Sequence, residues 1–215
     1  MKITNKAFTK LELLIVLAVV FLLGILLVPN FLRSRMKAST IKCSSNLKQI
    51  ALSFKMFAGD NDRNFPYLVT NSIVWQNETD AWKHFLALSN ELGSASILTC
   101  PNDDSRPRVP YMPFDASTNS LAHLKNRAVS FFVGLGASER TPDMVLVGDR
   151  NVFASSEMIS GPIKEVTGTN MLQWDRRLHT NWGNVALSDG SVHQTTRYPA
   201  WKDHTNRVRL LLPNN

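Results

Sequence analysis

An uninterrupted apolar segment dominates the hydrophobic pattern near the start of the chain. From Leu13 to Val28 no residue carries a charge or a hydrogen-bonding side chain. Residues 8–28 are long enough for a helix that crosses a bilayer, since about 20 apolar residues at 1.5 Å each span it. A cleavable secretory signal would have a shorter apolar core followed by a small-x-small site, and the run Pro29-Asn30-Phe31 offers none. We therefore predict a transmembrane helix over residues 8–28.

The pattern changes to helical spacing after Pro29. Apolar residues then recur at intervals of three or four, as on one face of an amphipathic helix. They are Cys43, Leu47, Ile50, Phe54 and Phe57. The cluster Gly59-Asp60-Asn61-Asp62 is typical of a helix end. We predict that residues 29–58 continue the helix and pack their apolar face on a domain formed by residues 59–215.

Within residues 59–215 the pattern predicts short helices and strands. Residues 78–92 favour a helix that ends at Gly93, and the predicted strands are Ser96–Thr99, Ala128–Val133 and Met144–Val147. Four prolines between Pro101 and Pro113 predict a long irregular loop. Asp189-Gly190 lies between the short segments Val185–Ser188 and Ser191–His193, which predicts a β-hairpin on a two-residue type I′ turn. The fold class is therefore α+β, a long N-terminal helix packed on a small antiparallel sheet.

Composition and charge exclude several classes of protein. The chain has 215 residues, 44% of them hydrophobic, with 24 Lys and Arg against 17 Asp and Glu. These values exclude a disordered acidic chain, a collagen-like repeat and a polytopic membrane protein. The basic residues are scattered without a basic stripe, so we expect no nucleic-acid partner. Lysines and arginines flank both ends of the apolar segment and do not fix its orientation.

Glu12 stands at the edge of the apolar segment. A carboxylate costs up to about 3 kcal/mol at the centre of a bilayer. Considered alone, Glu12 is expected to extend to the headgroup region beside Lys10. A paired role is the alternative, because acids within a membrane usually have a partner.

The run Ala7-Phe8-Thr9-Lys10-Leu11-Glu12-Leu13-Leu14 resembles the cleavage and methylation site of type IV prepilins and type II secretion pseudopilins. The resemblance implies that residues 1–7 are a leader, which a prepilin peptidase removes between Ala7 and Phe8, and that Phe8 is N-methylated. It also implies a helix kink at Pro29. Ala7 stands where the family usually has glycine, and Lys10 where it usually has an apolar residue. The implied location is the inner membrane, with a single span, a cytoplasmic N-terminus and a periplasmic globular domain.

The same resemblance implies how the chain works. The α-amino cation that cleavage exposes at Phe8 can pair with Glu12 of a neighbouring subunit, so that two costly charges neutralise each other. We expect a structural subunit that assembles with itself and other pseudopilins into a type II secretion or type IV pilus-like filament. The alternative is a membrane-tethered extracytoplasmic module, exported through a prepilin signal, that binds a glycan or a protein with its tryptophans.

Three further motifs resemble a large family of pseudopilin-like proteins. They are Cys43-Ser44-Ser45-Asn46-Leu47-Lys48-Gln49-Ile50 with Asp62-Arg63-Asn64-Phe65-Pro66, then Cys100-Pro101-Asn102-Asp103, then the H-x9-D-G segment 179–190. This resemblance implies a short antiparallel sheet packed against the long helix. The two cysteines favour a disulfide between Cys43 and Cys100 in an oxidising compartment. Two buried thiols that act as small hydrophobic groups are the alternative.

The H-x9-D-G segment also contains the candidates for a metal site. His179, Asp189 and His193 could converge if the hairpin brought them together, since zinc accepts nitrogen and carboxylate oxygen ligands. However, Asp189 and Gly190 have a structural role in the turn, and a hydrogen bond from His179 to a backbone group is the more common arrangement. We find no recognisable nucleophile motif. We therefore expect no enzyme, no metal and no other cofactor, and a metallohydrolase centred on His179 and Asp189 is the least favoured alternative.

Overall fold

A computed structural model describes residues 9–69, 79–115, 117–154, 157–158, 163–167, 171–199 and 207–213. The chain divides into two compact units, which meet in sequence between Ser39 and Thr40. The first helix, α1, extends from Lys10 to Asp60. It therefore supplies most of the described part of the first unit and the first element of the second.

In the first unit α1 is apolar and exposed. Every side chain from Lys10 to Leu27 is exposed except the half-buried Gly24. This stretch of 18 residues is long and apolar enough to cross a membrane, and it is the one such helix in the part of the chain that the structure describes. Pro29 lies inside α1, and the kink at this residue stays a prediction.

In the second unit α1 buries the apolar face that the spacing predicts. Cys43, Leu47, Ile50 and Phe54 are fully buried, and Phe57 is partly buried against the same core. Burial of a large apolar side chain is worth about 1.5–3 kcal/mol, so Leu47, Ile50 and Phe54 contribute roughly 5–9 kcal/mol in all. This part of the helix therefore belongs to the core of the second unit.

A side-chain and a backbone hydrogen bond end α1 at the predicted loop cluster. The Asn61 side-chain amide donates a hydrogen bond to the Phe57 carbonyl (2.8 Å), and the Arg63 N–H donates one to the Ala58 carbonyl (2.8 Å). Asp62 and Arg63 both have left-handed backbone angles, with φ of 53° and 63°. These bonds satisfy carbonyls that the last helical turn leaves without partners.

The remaining helices are short. The predicted helix over residues 78–92 is two helices, α2 (Ala81–Leu86) and α3 (Ser89–Leu92), and it ends at Gly93, whose φ is +59°. The strand predicted at Ser96–Thr99 is wrong, because these residues fall largely in a 3-10 helix, η2. The side chain of Ser94 caps that helix by accepting a hydrogen bond from the Ser96 N–H (3.3 Å). The other short helices are η1 (Pro66–Leu68), α4 (Leu121–Leu124) and η3 (Lys125–Ala128).

Ten strands in the described residues form two antiparallel sheets, which confirms the predicted α+β class. The strands are β1 (Phe131–Gly134), β2 (Val145–Asp149), β3 (Val152–Ala154), β4 (Glu157–Met158), β5 (Ile163–Thr167), β6 (Met171–Trp174), β7 (Gly183–Leu187), β8 (Val192–Thr195), β9 (Arg197–Pro199) and β10 (Arg207–Leu211). The larger sheet has the order β5-β10-β1-β2-β7-β8, and the smaller has the order β4-β3-β6-β9. Strands β1 and β2 overlap the predicted strands Ala128–Val133 and Met144–Val147, and their ends differ from the predicted ends by at most three residues.

The middle of the larger sheet holds the core of the second unit. Strands β1, β2 and β7 are buried along their whole length, so both faces of the sheet are covered there. One continuous cluster of buried apolar side chains joins these strands to the buried face of α1. Any polar group in this region is therefore removed from water.

The predicted hairpin is present as β7 and β8, with Val185 opposite His193. Its turn differs from the prediction. Leu187 donates its N–H to the Ser191 carbonyl and accepts a hydrogen bond from the Gly190 N–H, each at 2.9 Å, so three residues form the connection. Gly190 has a φ of +88°, whereas Asp189 is not in the left-handed region. This geometry is the three-residue hairpin with a glycine bulge, in which only the glycine needs a positive φ.

Candidate functional site

The start of α1 is held by a reciprocal pair of side chains. The Glu12 carboxylate accepts hydrogen bonds from the Thr9 N–H (2.8 Å) and the Thr9 hydroxyl (2.9 Å). In return the Thr9 hydroxyl oxygen accepts one from the Glu12 N–H (3.3 Å). This is a capping box, and it places the carboxylate at the positive end of the helix dipole. The capping role of Thr9 was not predicted, although the spacing Thr-x-x-Glu is the sequence signal for it.

The predicted processing site lies outside the described residues. Ala7 and Phe8 precede Thr9, where the description of the chain begins. Cleavage between them, methylation of Phe8 and its pairing with Glu12 therefore stay predictions.

A second group of polar residues lies deep in the core of the second unit. Cys43 of α1 and Cys100 form the predicted disulfide, with their Cα atoms 5.0 Å apart. Asp149, at the end of β2, and His179, beyond β6, lie against the two sulfurs. One Sγ, N or O atom from each of the four residues lies within 4.8 Å of the others, and all four residues are buried. We call these four residues the buried centre.

The contacts in the buried centre are close and specific. The Cys43 Sγ lies 3.6 Å from Asp149 Oδ1, and the Cys100 Sγ lies 3.6 Å from His179 Nε2. His179 Nε2 also lies 3.4 Å from Asp149 Oδ2. The N–H and the side-chain amide of Asn184 donate hydrogen bonds to Asp149 Oδ2 at 2.7 and 3.0 Å. Each group of the centre therefore faces another group of the same centre.

Burial determines the charge of the two ionisable groups. It raises the pKa of Asp149 to about 7, despite the hydrogen bonds from Asn184. It lowers the pKa of His179 to about 4. Between pH 4 and 7 the carboxyl is therefore mainly protonated and the imidazole neutral. Their 3.4 Å contact is a contact of neutral groups in this range rather than an ion pair.

Residues of the Cys-Pro-x-Asp and H-x9-D-G motifs meet at this centre. Asn102, in the Cys-Pro-x-Asp motif, has its side-chain nitrogen 3.0 Å from His179 Nδ1. Trp182 stacks on the His179 ring with centroids 4.4 Å apart and planes 20° apart. The expected hydrogen bond from His179 to a backbone group is thus replaced by contacts with side chains. Contacts to both ring nitrogens and to one face of the ring therefore hold the imidazole in position.

Asp103, the last residue of the same motif, anchors the irregular loop. Its carboxylate accepts two hydrogen bonds from Arg150 (2.7 and 2.9 Å), and one each from Ser105 (2.6 Å) and Ser130 (2.9 Å). Arg106 lies 3.7 Å away. Burial alone would raise the pKa of Asp103, but the hydrogen bonds from Arg150, Ser105 and Ser130, together with the charge of Arg150, outweigh it and hold the pKa below its usual value. The structure gives Asp103 a role in stability.

The other predicted site residues lie in the hairpin. The Asp189 carboxylate accepts a hydrogen bond from the Ser191 N–H (2.8 Å), and His193 contacts the Ser191 hydroxyl (3.2 Å) and the Tyr198 ring. Among the described residues, neither Asp189 nor His193 belongs to the group that surrounds His179. The convergence of His179 with Asp189 and His193, which the sequence left as a disfavoured candidate, does not occur among the described residues, and Asp149 lies beside His179 instead. The only signal for Asp149 was an acid at the end of an otherwise apolar strand.

The described tryptophans offer little contact surface. Trp82 and Trp174 are buried, and Trp182 is half-buried against His179. Trp75 and Trp201 lie outside the described residues. A groove in the second unit is lined by polar side chains, among them Lys42, Asn46 and Arg108, and by apolar ones such as Ile97 and Val109.

Comparison with known proteins gives one partial similarity. No protein-family model matches the chain, and no solved structure matches it. Over 59 residues the chain is 32% identical to the type IV major pilin protein PilA of Myxococcus xanthus (strain DK1622). The match covers 27% of this chain and 27% of that pilin. The apolar helix and the antiparallel α+β architecture are compatible with this similarity to a pilin.

Proposed function

We propose that the chain is a pilin-like structural subunit, held in a membrane by α1 and assembled through the same helix. The observation that carries the proposal is the exposed apolar surface from Leu11 to Leu27. Fourteen residues in this stretch are Leu, Ile, Val or Phe. At about −0.3 to −0.6 kcal/mol each near the bilayer centre, they favour insertion by roughly 4–8 kcal/mol. Such a helix is stable in lipid or against identical helices, and not in water.

The processing that we propose follows the prepilin motif. A prepilin peptidase removes residues 1–7, Phe8 becomes the methylated N-terminus, and the second unit faces the periplasm from the inner membrane. The filament belongs to a type II secretion system or a type IV pilus-like machine, and other pseudopilins join it. The partial similarity to a type IV pilin supports this reading.

Glu12 supplies the register between subunits. The carboxylate caps its own helix through Oε2, and a carboxylate can accept about four hydrogen bonds. It can therefore cap α1 and still bind the α-amino cation of a neighbouring Phe8. Pairing neutralises both charges within the helix bundle, where an unpaired charge is costly.

The N-terminus of the mature chain tests the processing. We expect N-terminal sequencing and intact mass of membrane-extracted protein to give a methylated Phe8 as the first residue. A chain that begins at Met1, in a host with an active prepilin peptidase, would exclude this part of the proposal.

A charge-neutral substitution tests the role of Glu12. Glutamine also serves in a capping box, so Glu12→Gln keeps the bonds to Thr9 and removes only the charge. We expect the variant to insert in the membrane as the wild type does, and to lose incorporation into filaments. Glu12→Ala removes both functions and is the reference for complete loss. Wild-type incorporation of Glu12→Gln would show that the charge does not set the register.

Crosslinking separates this function from the alternative of a tethered binding module. The groove with Lys42, Asn46 and Arg108 is the described feature that favours a ligand. An assembling subunit gives ladders of oligomers with crosslinkers placed along residues 11–27. Monomers that bind a glycan or protein saturably would favour the binding module instead.

A further inference from the structure

We propose that the buried centre is a zinc site, in which the reduced thiols of Cys43 and Cys100 bind Zn²⁺ together with His179 and Asp149. Cysteine sulfur, imidazole nitrogen and carboxylate oxygen are the ligands of zinc in proteins, and four of them make a closed structural site. The proposal goes beyond filament assembly and does not depend on it.

Three contacts in the centre match the separations of ligand atoms around tetrahedral zinc, and reduction would free the two bonded sulfurs to move apart into ligand positions. Bonds to zinc of about 2.3 Å for sulfur, 2.0–2.1 Å for nitrogen and 2.0–2.2 Å for oxygen fix the separations of neighbouring ligand atoms. They are about 3.6 Å for sulfur with nitrogen or oxygen, and about 3.4 Å for nitrogen with oxygen. In the structure Cys43 Sγ to Asp149 Oδ1 is 3.6 Å, Cys100 Sγ to His179 Nε2 is 3.6 Å, and His179 Nε2 to Asp149 Oδ2 is 3.4 Å.

The metal and the disulfide are alternative states of the same two sulfurs. Both cysteines are made as thiols, and zinc binds thiolates. On binding, each thiol loses its proton, and Asp149 loses its own where it is protonated. Two or three protons are therefore released, and no electron is transferred. The disulfide forms instead when a disulfide-exchanging oxidant takes two electrons and two protons from these thiols. Zinc therefore binds the reduced chain and not the oxidised one.

The surroundings suit a structural metal. All four residues are buried, so water does not reach the metal and the site is closed. Two thiolates and a carboxylate give the zinc centre a net charge of −1, and the two Asn184 donors at 2.7 and 3.0 Å face this charge. Such donors offset the cost of a buried charge.

Asn102 and Trp182 orient the imidazole. A histidine that binds metal through one nitrogen usually donates its other N–H to an oxygen acceptor. Asn102 Nδ2 lies 3.0 Å from His179 Nδ1. A 180° rotation of the side-chain amide would place its oxygen there to accept the hydrogen bond from that N–H. Trp182 stacks on the ring and keeps Nε2 directed at the sulfurs.

Cobalt binding to the full chain in detergent tests the proposal. The protein is reduced with a phosphine, which carries no competing thiol, and is then titrated with Co²⁺ without oxygen. We expect one equivalent to bind, with a near-ultraviolet thiolate-to-cobalt band and the intense visible bands of tetrahedral cobalt. We expect Zn²⁺ to abolish these bands, and the oxidised chain to bind neither ion. Reduced wild-type protein that shows no thiolate band at one equivalent would overturn the proposal.

Matched variants assign the ligands. We expect the intensity of the thiolate-to-cobalt band to fall by at least half in Cys43→Ser. In His179→Gln we expect the visible bands to change and Co²⁺ to bind more weakly. His193→Gln, the same change in the hairpin, should leave titration and spectrum as in the wild type. Asn102→Ala should still bind one equivalent, with an affinity about 10–100-fold lower. An unchanged spectrum in Cys43→Ser would refute the site.

A measurement on the wild type covers variants that fail to fold, as judged by circular dichroism. X-ray absorption of the reduced, zinc-loaded chain should show two sulfur and two nitrogen or oxygen neighbours. Zinc with no sulfur neighbours, or with four, would overturn the proposal whatever the variants do.

Discussion

The substitution Asp103→Asn should be the most damaging single change in the irregular loop. The Asp103 side chain is 2% exposed, and it is the counter-ion of Arg150 (14% exposed) and Arg106 (1% exposed). An amide in its place leaves two guanidinium groups at a buried position without a negative charge. Removal of one partner of a buried ion pair costs about 3–5 kcal/mol. This is a large fraction of the 5–15 kcal/mol that typically stabilises a domain.

The neighbouring residue provides a matched control. Asp104 pairs with Arg108, but their side chains are 87% and 63% exposed. Exposed pairs are worth about 0–1 kcal/mol. The same chemical change, one residue along the chain, should therefore have little effect. Urea unfolding of the detergent-solubilised chain, followed by tryptophan fluorescence, measures both variants.

The pH dependence of the unfolding free energy tests whether loss of the Asp103 charge is the cause of the destabilisation. The pKa of Asp103 is lowered in the folded protein, so its ionisation stabilises the fold above the unfolded pKa near 4, and the contribution is lost as the pH falls through the folded pKa. The difference in unfolding free energy between the wild type and Asp103→Asn should thus be constant near neutral pH and become smaller in acid. A difference below about 1 kcal/mol at pH 7, or one equal to that of Asp104→Asn, would refute the role that we assign to Asp103.

Four further substitutions test three separate features. Thr9→Ala removes a helix cap and should cost about 0.5–2 kcal/mol in the first turn of α1, measured as faster amide exchange there; unchanged exchange would exclude the capping box. Gly183→Ala places a methyl group against the Trp174 ring and should lower the unfolding free energy by about 1–3 kcal/mol. Its control, Gly59→Ala, places the methyl group in open space on a helix and should raise that free energy by up to about 1 kcal/mol. Equal urea midpoints for the two variants would contradict both predictions. Tyr67→Phe removes the hydroxyl that donates a 2.8 Å hydrogen bond to a buried carbonyl and should cost about 1–3 kcal/mol; a wild-type midpoint would show that this bond adds nothing.

The sequence predicts the features that a short stretch of chain determines. The apolar segment, the amphipathic face of α1 and the β7–β8 hairpin each rest on a local pattern, and each is present. The strand predicted at Ser96–Thr99 failed because one serine side chain, Ser94, favours a helical turn. The two-residue turn failed because Asp-Gly also fits a longer connection in which only Gly190 has a positive φ.

The buried centre was only partly predictable. The motifs indicated Cys43, Cys100 and His179, but no local pattern indicated which residues would surround them. Asp149 lies 106 positions after Cys43, and the fold of the larger sheet brings the two together. A contact of this kind follows from packing rather than from spacing along the chain.

The position of β10 has a consequence for the order of events in the cell. Although β10 is the last described strand, it lies inside the larger sheet, between β5 and β1. During synthesis β5 therefore cannot join β1 in the sheet until residues 207–211 have been made. A ribosome or a translocation channel that still holds this segment keeps β5 from joining the sheet, although β1, β2, β7 and β8 can already pair. In the membrane topology that we propose, the larger sheet should thus be completed only after transfer, whereas the apolar part of α1 is made first.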